Sequence, residues 1–195
     1  MKQVGSGREL ESDGRLDAQA LFRAHAPFVA SFLHRLGTPP ADVDDLVQEV
    51  FLVAHRKGGY VPGAALPRTW LAAIAVRVAR ASHRVRSRRR ETTDDALLQL
   101  AAPAGGPEET LQTRRSLARV QCALDALDIE HRAAFVLFEI EGESCDSIAS
   151  SFEVPVGTVY SRLHHARKRF LDAYAALAPG EHAEPAPRRR LAEGT

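Results

Sequence analysis

The chain has 195 residues, which allows one or two small domains, and 45% of them are apolar, which is enough for packed cores. No apolar run is long enough to cross a membrane, and residues 1–17 lack the apolar core of a signal peptide, so we expect no membrane insertion. The formal net charge of +1 conceals segregation, because positive charge concentrates between Arg68 and Arg90 whereas residues 91–109 carry only acidic charges.

Two helices are predicted near the N-terminus, after a polar segment of about 15 residues that we expect to be disordered. In the first, residues 16–36, apolar side chains recur at helical spacing until Gly37 and two prolines end the helix. The second, residues 41–57, has an inward apolar stripe and an acidic face that carries one apolar residue, Leu52.

The acidic face of the second helix has two interpretations. Acidic residues stabilise a helix N-terminus through the macrodipole, and this accounts fully for Asp42 and Asp44. It accounts less well for Asp45, Gln48 and Glu49, which together with an exposed leucine are typical of a docking surface for a basic protein. The residues alone leave the two interpretations about equal.

The third predicted helix begins at Pro67, after a loop rich in glycine, proline and small residues, and runs to Arg90. One of its faces combines an aromatic side chain with guanidinium groups: Trp70, Arg77, Arg80 and Arg84. This combination can neutralise phosphates and stack an unpaired base. For Trp70 alone core packing is favoured, whereas nothing nearby in the sequence neutralises the arginines, which favours nucleic-acid binding.

Residues 91–110 are acidic and rich in proline and glycine, and we expect a flexible linker. A helix is predicted over residues 111–127, followed by a nearly all-apolar helix over residues 129–140 with Asp128 as its N-cap. The proline-rich tail, residues 178–195, is predicted to be disordered.

Residues 144–170 are predicted to form a helix-turn-helix. Ile148, Ala149 and Phe152 lie on one side of a first helix, and a short turn at Glu153 precedes Pro155, which opens a second helix. The inward side of that second helix carries Val159, Leu163, Ala166 and Phe170. Its opposite face carries Thr158, Ser161, Arg162, His165 and Arg169, a polar and basic surface that fits a DNA major groove.

The sequence contains no catalytic constellation, and we predict neither catalytic residues, nor a bound metal, nor a cofactor. It has no glycine-rich phosphate loop and no Gly-x-Ser-x-Gly elbow. The adjacent His164 and His165 point to different sides of a helix and make a poor metal pair. Cys122 and Cys145 suit neither a disulfide framework nor a zinc site, so we expect a reduced, cytoplasmic protein.

Two segments in this order resemble bacterial RNA polymerase sigma factors of the extracytoplasmic-function (ECF) type. The first is DVDDLVQEVFLVAHR, followed by RTWLAAIAVRVAR; the second runs from Leu124 to Phe170 and contains the helix-turn-helix. The resemblance implies an all-α protein with two small helical domains joined by a flexible linker. These would be sigma region 2 over residues 16–90, a linker over 91–110, and sigma region 4 over 111–177.

The resemblance also implies roles for individual residues. A surface that docks on the clamp helices of the polymerase largest subunit would comprise Asp45, Leu46, Gln48, Glu49 and Phe51. Recognition and melting of the −10 promoter element would fall to Arg68, Trp70, Arg77, Arg80 and Arg84. Recognition of the −35 element would fall to Pro155, Val156, Gly157, Thr158, Ser161, Arg162, His165 and Lys168.

The chain departs from the usual family pattern at several of these places. Glu153 stands where the turn usually has glycine, so either Glu153 adopts a left-handed conformation at some cost or the turn differs from the usual one. Ser147 replaces a common glutamate. Tyr160 and His165 stand where lysine and arginine are usual.

The partners implied are core RNA polymerase, through its clamp helices and flap, promoter DNA, and an anti-sigma factor that restrains the protein. A second hypothesis is a sigma-like DNA-binding regulator that acts without core polymerase. A third, a nucleic-acid-modifying enzyme, is disfavoured because the catalytic constellation is missing.

Overall fold

The computed structural model describes residues 14–92 and 111–177, and within these ranges the protein is all-α, with one isolated antiparallel β-bridge. The described residues form seven α-helices and one π-helical turn. None of the helices in these ranges is both long enough and apolar enough to cross a membrane. The predicted N-terminal segment, the acidic stretch between the domains and the proline-rich tail lie outside the described residues, apart from their first or last few positions.

The N-terminal domain is a three-helix bundle of α1 (Ala18–Arg35), α2 (Pro40–Arg56) and α3 (Pro67–Thr92). Asp17 caps α1 by accepting a 2.7 Å hydrogen bond from the backbone N–H of Ala20. All three helices pack against one another, as the apolar spacing predicts. The largest fully buried side chains of this core are Leu21, Val29, Phe32, Leu33, Leu36, Val50 and Leu71.

A backbone bridge ties the start of the domain to the loop that precedes α3. The N–H of Leu16 donates to the carbonyl of Tyr60 at 3.0 Å, and the N–H of Tyr60 donates back at 2.8 Å. The close approach requires Gly59, because a Cβ there would lie 2.3 Å from the carbonyl oxygen of Leu16, and its φ of +86° suits glycine. The bridge therefore fixes the loop from which α3 starts.

The C-terminal domain comprises α4 (Leu111–Asp125), α5 (Ile129–Phe135), a π-helical turn (Val136–Ile140), α6 (Cys145–Phe152) and α7 (Val156–Ala176). Asp128 caps α5, as predicted, by accepting from the N–H of His131 at 3.1 Å. The prediction of one regular helix over residues 129–140 is wrong in its second half. There the N–H of Glu141 reaches the carbonyl of Val136, five residues back, at 3.0 Å.

The two domains pack on each other through α3, which contacts both α5 and α6. The buried apolar residues of both domains belong to one continuous cluster. Elsewhere in the contact, the guanidinium of Arg132 in the C-terminal domain lies against Gly37 in the N-terminal domain. A Cβ added at Gly37 would lie only 2.5 Å from Arg132 Nη1. The face of α3 that turns away from its own bundle is thus covered by the C-terminal domain.

Gly59→Ala is expected to lower the free energy of unfolding by at least about 2 kcal/mol, because it combines a left-handed backbone with a clash against backbone atoms. Gly63→Ala, in the same loop, is the matched control, since no atom lies within 4 Å of its added Cβ and its φ is not in the left-handed region. Urea denaturation of both variants measures the difference. Equal stability of the two variants would contradict the structural role given to the bridge.

Candidate nucleic-acid and protein-binding surfaces

The acidic face of α2 is open to solvent. Asp45 and Gln48 are exposed, Leu46 and Glu49 are partly exposed, and Leu52 is 50% exposed. Glu49 forms an ion pair with Arg56 of the same helix, with a distance of 3.3 Å between the charged atoms. Asp42, at the helix start, pairs instead with Arg86 of α3. The structure therefore separates Asp42, which stabilises the bundle, from Asp45, Gln48 and Glu49, whose polar groups face outward.

Phe51 does not lie on this open face, although the resemblance assigns it to the polymerase-docking surface. Its side chain is only 6% exposed and packs edge-on against Phe22, with ring centroids 5.0 Å apart. The helical spacing of apolar residues along α2 places Phe51 inside the bundle. Phe51 can therefore support the acidic face by packing beneath it, but its own side chain is nearly inaccessible to a partner in this structure.

Beside α2 the bundle has an apolar groove between α2 and α3. Its volume is about 400 Å³, and its lining includes Leu46, Val53, Val78 and Val85. The charged residues Glu49 and Arg77 also line this groove. The acidic face thus continues into an apolar depression.

The five residues assigned to −10 recognition lie along α3: Arg68, Trp70, Arg77, Arg80 and Arg84. Arg68 lies on the opposite side of the helix from Arg77 and contacts the Phe28 ring of α1 at 4.3 Å, and we call the other four residues the α3 basic face. Trp70 is half-buried and packs against the core. Its ring makes an edge-to-face contact with Tyr60, with the ring centroids 5.9 Å apart. With Tyr60 and Arg77 it lines a cavity of about 190 Å³. Core packing, the role favoured for Trp70 from the sequence, is therefore confirmed, and stacking of an unpaired base stays a prediction.

Three arginines of α3 have acidic partners, although nothing nearby in the sequence neutralises them. Arg68 pairs with Glu141, Arg80 with Glu130, and Arg77 with Glu153 at 3.1 Å. All three carboxylates belong to the C-terminal domain, and two of the pairs span 73 and 76 residues of sequence. Reading charges along the chain could not reveal partners at this separation.

The helix-turn-helix forms as predicted. Ser144 caps α6 by accepting from the N–H of Ser147 at 3.1 Å. Pro155 is the N-cap residue of α7, which begins at Val156, one residue later than predicted. The turn between them places Glu153 at φ 56° and ψ 43°, so of the two alternatives for this turn the structure shows the left-handed conformation. Val159, Leu163 and Ala166 are buried against the domain, and Phe170 stacks on Phe135 at 4.7 Å.

The outward face of α7 carries the residues assigned to −35 recognition. Exposed members are Pro155, Val156, Gly157, Ser161, His165 and Lys168, and partly exposed members are Thr158 and Arg162. They occupy the N-terminal and middle turns of one helix on the side opposite its buried stripe, which is the arrangement that a major-groove helix needs. Arg169 departs from this role, because its guanidinium donates to the carbonyl of Ala126 at 2.9 Å within the domain.

Few ionisable groups are strongly perturbed. Burial, with a further effect of the nearby Arg68, lowers the pKa of His25, which is therefore neutral at pH 7. Burial raises the pKa of the Cys145 thiol, and Asp146 adds to this effect, so the thiol is a poor nucleophile. Across residues 14–92 and 111–177, no group of three His, Cys, Asp or Glu side chains is placed to hold a metal ion.

Comparison with known proteins identifies both domains. The family model of Sigma-70 region 2 matches residues 21–91, and that of Sigma-70 region 4 matches residues 117–170. The ECF RNA polymerase sigma factor SigE of Mycolicibacterium smegmatis is 36% identical over 168 residues, which are 85% of this chain and 64% of that protein. The ECF RNA polymerase sigma-E factor of Escherichia coli K12 is 34% identical over 148 residues, 72% of this chain and 77% of that protein.

Solved structures share the fold. The sigma factor RpoE of Bartonella quintana, in complex with the anti-sigma factor NepR, superposes with a TM-score of 0.66 at 22% identity, covering 80% of this chain and 96% of that one. CnrH, in complex with the cytosolic domain of CnrY, gives a TM-score of 0.57 at 26% identity, covering 82% and 88%. The chain belongs to the ECF-type RNA polymerase sigma factors, a non-enzymatic family, with sigma region 2 in its N-terminal domain and sigma region 4 in its C-terminal domain.

Glu153→Gly is expected to stabilise the protein by about 1 kcal/mol, because glycine adopts the left-handed turn without a Cβ penalty. Glu153→Ala is the control, since it removes the same carboxylate, and with it the pair to Arg77, but keeps the penalty. Thermal unfolding of the two variants isolates the backbone effect. A lower midpoint for the glycine variant than for the alanine variant would contradict the strain assigned to this turn.

Proposed function

We propose that this protein binds core RNA polymerase and directs it to promoters. The α3 basic face would read and open the −10 element, and the outward face of α7 would read the −35 element. The single observation that carries the proposal is the open acidic face of α2, held on the same rigid bundle as the α3 basic face. A bundle of this kind can attach to a basic protein surface while it presents arginines and an aromatic ring to nucleic acid.

Docking on polymerase would use the acidic face formed by Asp45, Leu46, Gln48 and Glu49. The clamp helices of the polymerase largest subunit are the partner that the family resemblance implies for this face, and the flap is the partner implied for region 4. The apolar groove beside Glu49 adds desolvated contact area to an otherwise electrostatic surface, which favours a stable complex over a transient encounter.

Opening of the −10 element would use the arginines of α3 for phosphates and the cavity beside Trp70 for an unstacked base. Extruding a base costs a few kcal/mol, so a pocket and a basic groove are needed together. The cavity of about 190 Å³ next to Arg77 supplies both features in one place. The protein itself would supply binding energy, and the polymerase would supply the chemistry.

We also propose an anti-sigma factor as a partner. The solved relative RpoE was crystallised with such a protein. In this chain a partner that covers the acidic face of α2 would compete directly with polymerase.

Reversing two charges, Asp45→Lys with Glu49→Lys, is expected to weaken binding of core polymerase by at least about tenfold, because favourable charge pairs become repulsive. Asp146→Lys with Asp172→Lys makes the same charge change at exposed positions of the C-terminal domain and serves as the control. Fluorescence anisotropy with purified core polymerase measures both affinities. An unchanged affinity in the first variant would instead favour a regulator that acts without core polymerase.

Arg162→Ala is expected to lose roughly 1–3 kcal/mol of discrimination at one base pair of the −35 element. Lys168→Ala, six residues further along α7, is expected to weaken binding about equally on all sequences, because a lysine there would contact phosphate. Competition binding against duplexes substituted one base pair at a time gives both results. A uniform loss for Arg162→Ala would reassign its guanidinium to the phosphate backbone.

A further inference from the structure

Three imidazole side chains meet at the middle of α7. His164 and His165 are neighbours on this helix, and His131 lies in the first turn of α5. The rings of His131 and His165 make an edge-to-face contact at 85°, with their centroids 6.0 Å apart, and the centroids of the His164 and His165 rings are 5.5 Å apart. His165, an exposed residue of the outward face of α7, therefore rests against a ring that a different helix supplies.

Asp128 holds the ring of His131 in place. Its Oδ1 accepts from the backbone N–H of His131 at 3.1 Å, and its Oδ2 lies 2.6 Å from His131 Nδ1. An ionised carboxylate accepts hydrogen bonds and donates none, so Nδ1 carries the proton of this bond whether the imidazole is neutral or charged. One carboxylate thus binds both the main chain and the ring of the same residue, which fixes the orientation of the ring.

The Asp128 carboxylate is ionised at neutral pH. Burial opposes ionisation, but the hydrogen bonds from His131 outweigh burial, together with the charges of protonated His131 and of Arg169, so the pKa of this carboxyl lies below its usual range. Arg169 is itself fixed, because its guanidinium donates to the carbonyl of Ala126 at 2.9 Å. A single negative charge therefore connects the residues before α5, the first turn of α5, and α7.

Asp128 is the anionic partner of the two rings among the described residues. Other charged side chains of the helices that pack on α7 have different partners: Glu130 pairs with Arg80, Asp125 pairs with Arg132, Arg119 lies over the Tyr174 ring, and Asp146 acts on Cys145. The cations that lie three or four positions from His165 on α7 are Arg162, Lys168 and Arg169. The surface around His165 is thus positive apart from the carboxylate that holds His131.

An imidazole at position 165 needs more guidance than the arginine that is usual at this place in the family. Its side chain is shorter than that of arginine, and it carries a charge only when protonated, a change that imidazoles undergo between about pH 5 and pH 8. An aromatic neighbour whose own orientation is fixed restricts the directions that the ring can take. The contact with His131 therefore sets the direction in which the N–H groups of His165 point.

We propose that His131 is a positioning residue for DNA recognition by α7: Asp128 fixes its ring, and this ring holds the imidazole of His165 where, once protonated, it contacts a phosphate of the duplex. The proposal rests on the proposed function for the identity of that duplex. Because a phosphate favours the protonated ring, the complex with DNA binds more protons than the separate molecules do, and the affinity for duplex DNA rises as the pH falls from about 8 to about 6.

The first experiment tests His165 as the group that titrates. The probe is a fluorescently labelled, mixed-sequence duplex of about 25 base pairs, and its affinity for the full-length chain is measured by anisotropy at about pH 8 and about pH 6 over a series of salt concentrations. The gain in affinity on going to the lower pH is expected to be at least about threefold larger in the wild type than in His165→Gln. At the lower pH the slope of log affinity against log salt is expected to be steeper by about 0.9 in the wild type, which is the signature of one added phosphate contact.

Two further variants bracket this result. His165→Arg carries a permanent charge, so at the higher pH it is expected to bind at least as tightly as the wild type does at the lower pH, and its affinity should no longer depend on pH. His55→Gln is the matched control, because it removes an exposed imidazole from the end of α2 in the other domain and should keep the wild-type gain. A gain in either His165 variant as large as in the wild type would overturn the proposal.

The second experiment tests His131 as the positioning residue through a double-mutant cycle. His131→Gln can still bond to Asp128 but has no ring to place against His165, so it is expected to lose at least about half of the pH-dependent gain. The double variant His131→Gln/His165→Gln is expected to match His165→Gln alone, because a residue that acts through His165 has no effect once His165 is gone. An unchanged gain in His131→Gln, or losses that add in the double variant, would overturn the positioning role, provided that circular dichroism shows every variant to be folded.

Transcription with core polymerase separates this proposal from the proposed function. If the wild-type chain supports promoter-specific transcription while His165→Gln keeps the full pH-dependent gain, the positioning proposal fails and the proposed function stands. If the cycle gives the expected result but the chain neither binds polymerase nor supports transcription, the proposed function fails and a pH-dependent DNA-binding surface on α7 remains.

Discussion

The position of the Glu141 carboxylate, between Arg35 of α1 and Arg68 of α3, fixes how the two domains of this chain meet. A charge so deeply enclosed needs matched partners, and only the N-terminal domain supplies them among the described residues. The π-helical turn delivers this carboxylate, because the extra residue per turn changes the direction in which the chain leaves the helix. Gly142, at φ +71°, then lets the chain reverse so that Glu143 reaches Thr69.

This arrangement gives α3 two uses. Its apolar side completes the N-terminal bundle, whereas its basic side carries the arginines that a nucleic-acid strand would contact, and in the closed chain acidic side chains occupy that basic side. The acidic face of α2 and the outward face of α7 stay exposed in the same conformation. The surfaces proposed for polymerase and for duplex DNA are therefore both accessible in this conformation.

The features predictable from the sequence were those that depend on near neighbours. Apolar spacing predicts the helices, and Asp128 is recognisable as an N-cap. At Glu153 the sequence left open whether the turn is left-handed, and the structure shows that it is. Features that depend on distant residues could not be predicted. The carboxylates that neutralise Arg68 and Arg77 lie 73 and 76 residues away, and the interior position of Phe51 depends on where Phe22 packs. The π-helical turn could not be predicted, because the apolar residues 133–138 that lead into it have no polar positions from which a helical period could be read.

The most direct test of this account is the distance between the domains, measured by dipolar spectroscopy on spin labels at exposed positions of α2 and α7. A single short distance is expected in the free chain, because Glu141 is held between Arg35 and Arg68. A broad distribution of distances in the free chain would contradict this arrangement, because the carboxylates of the C-terminal domain would then not be held on α3.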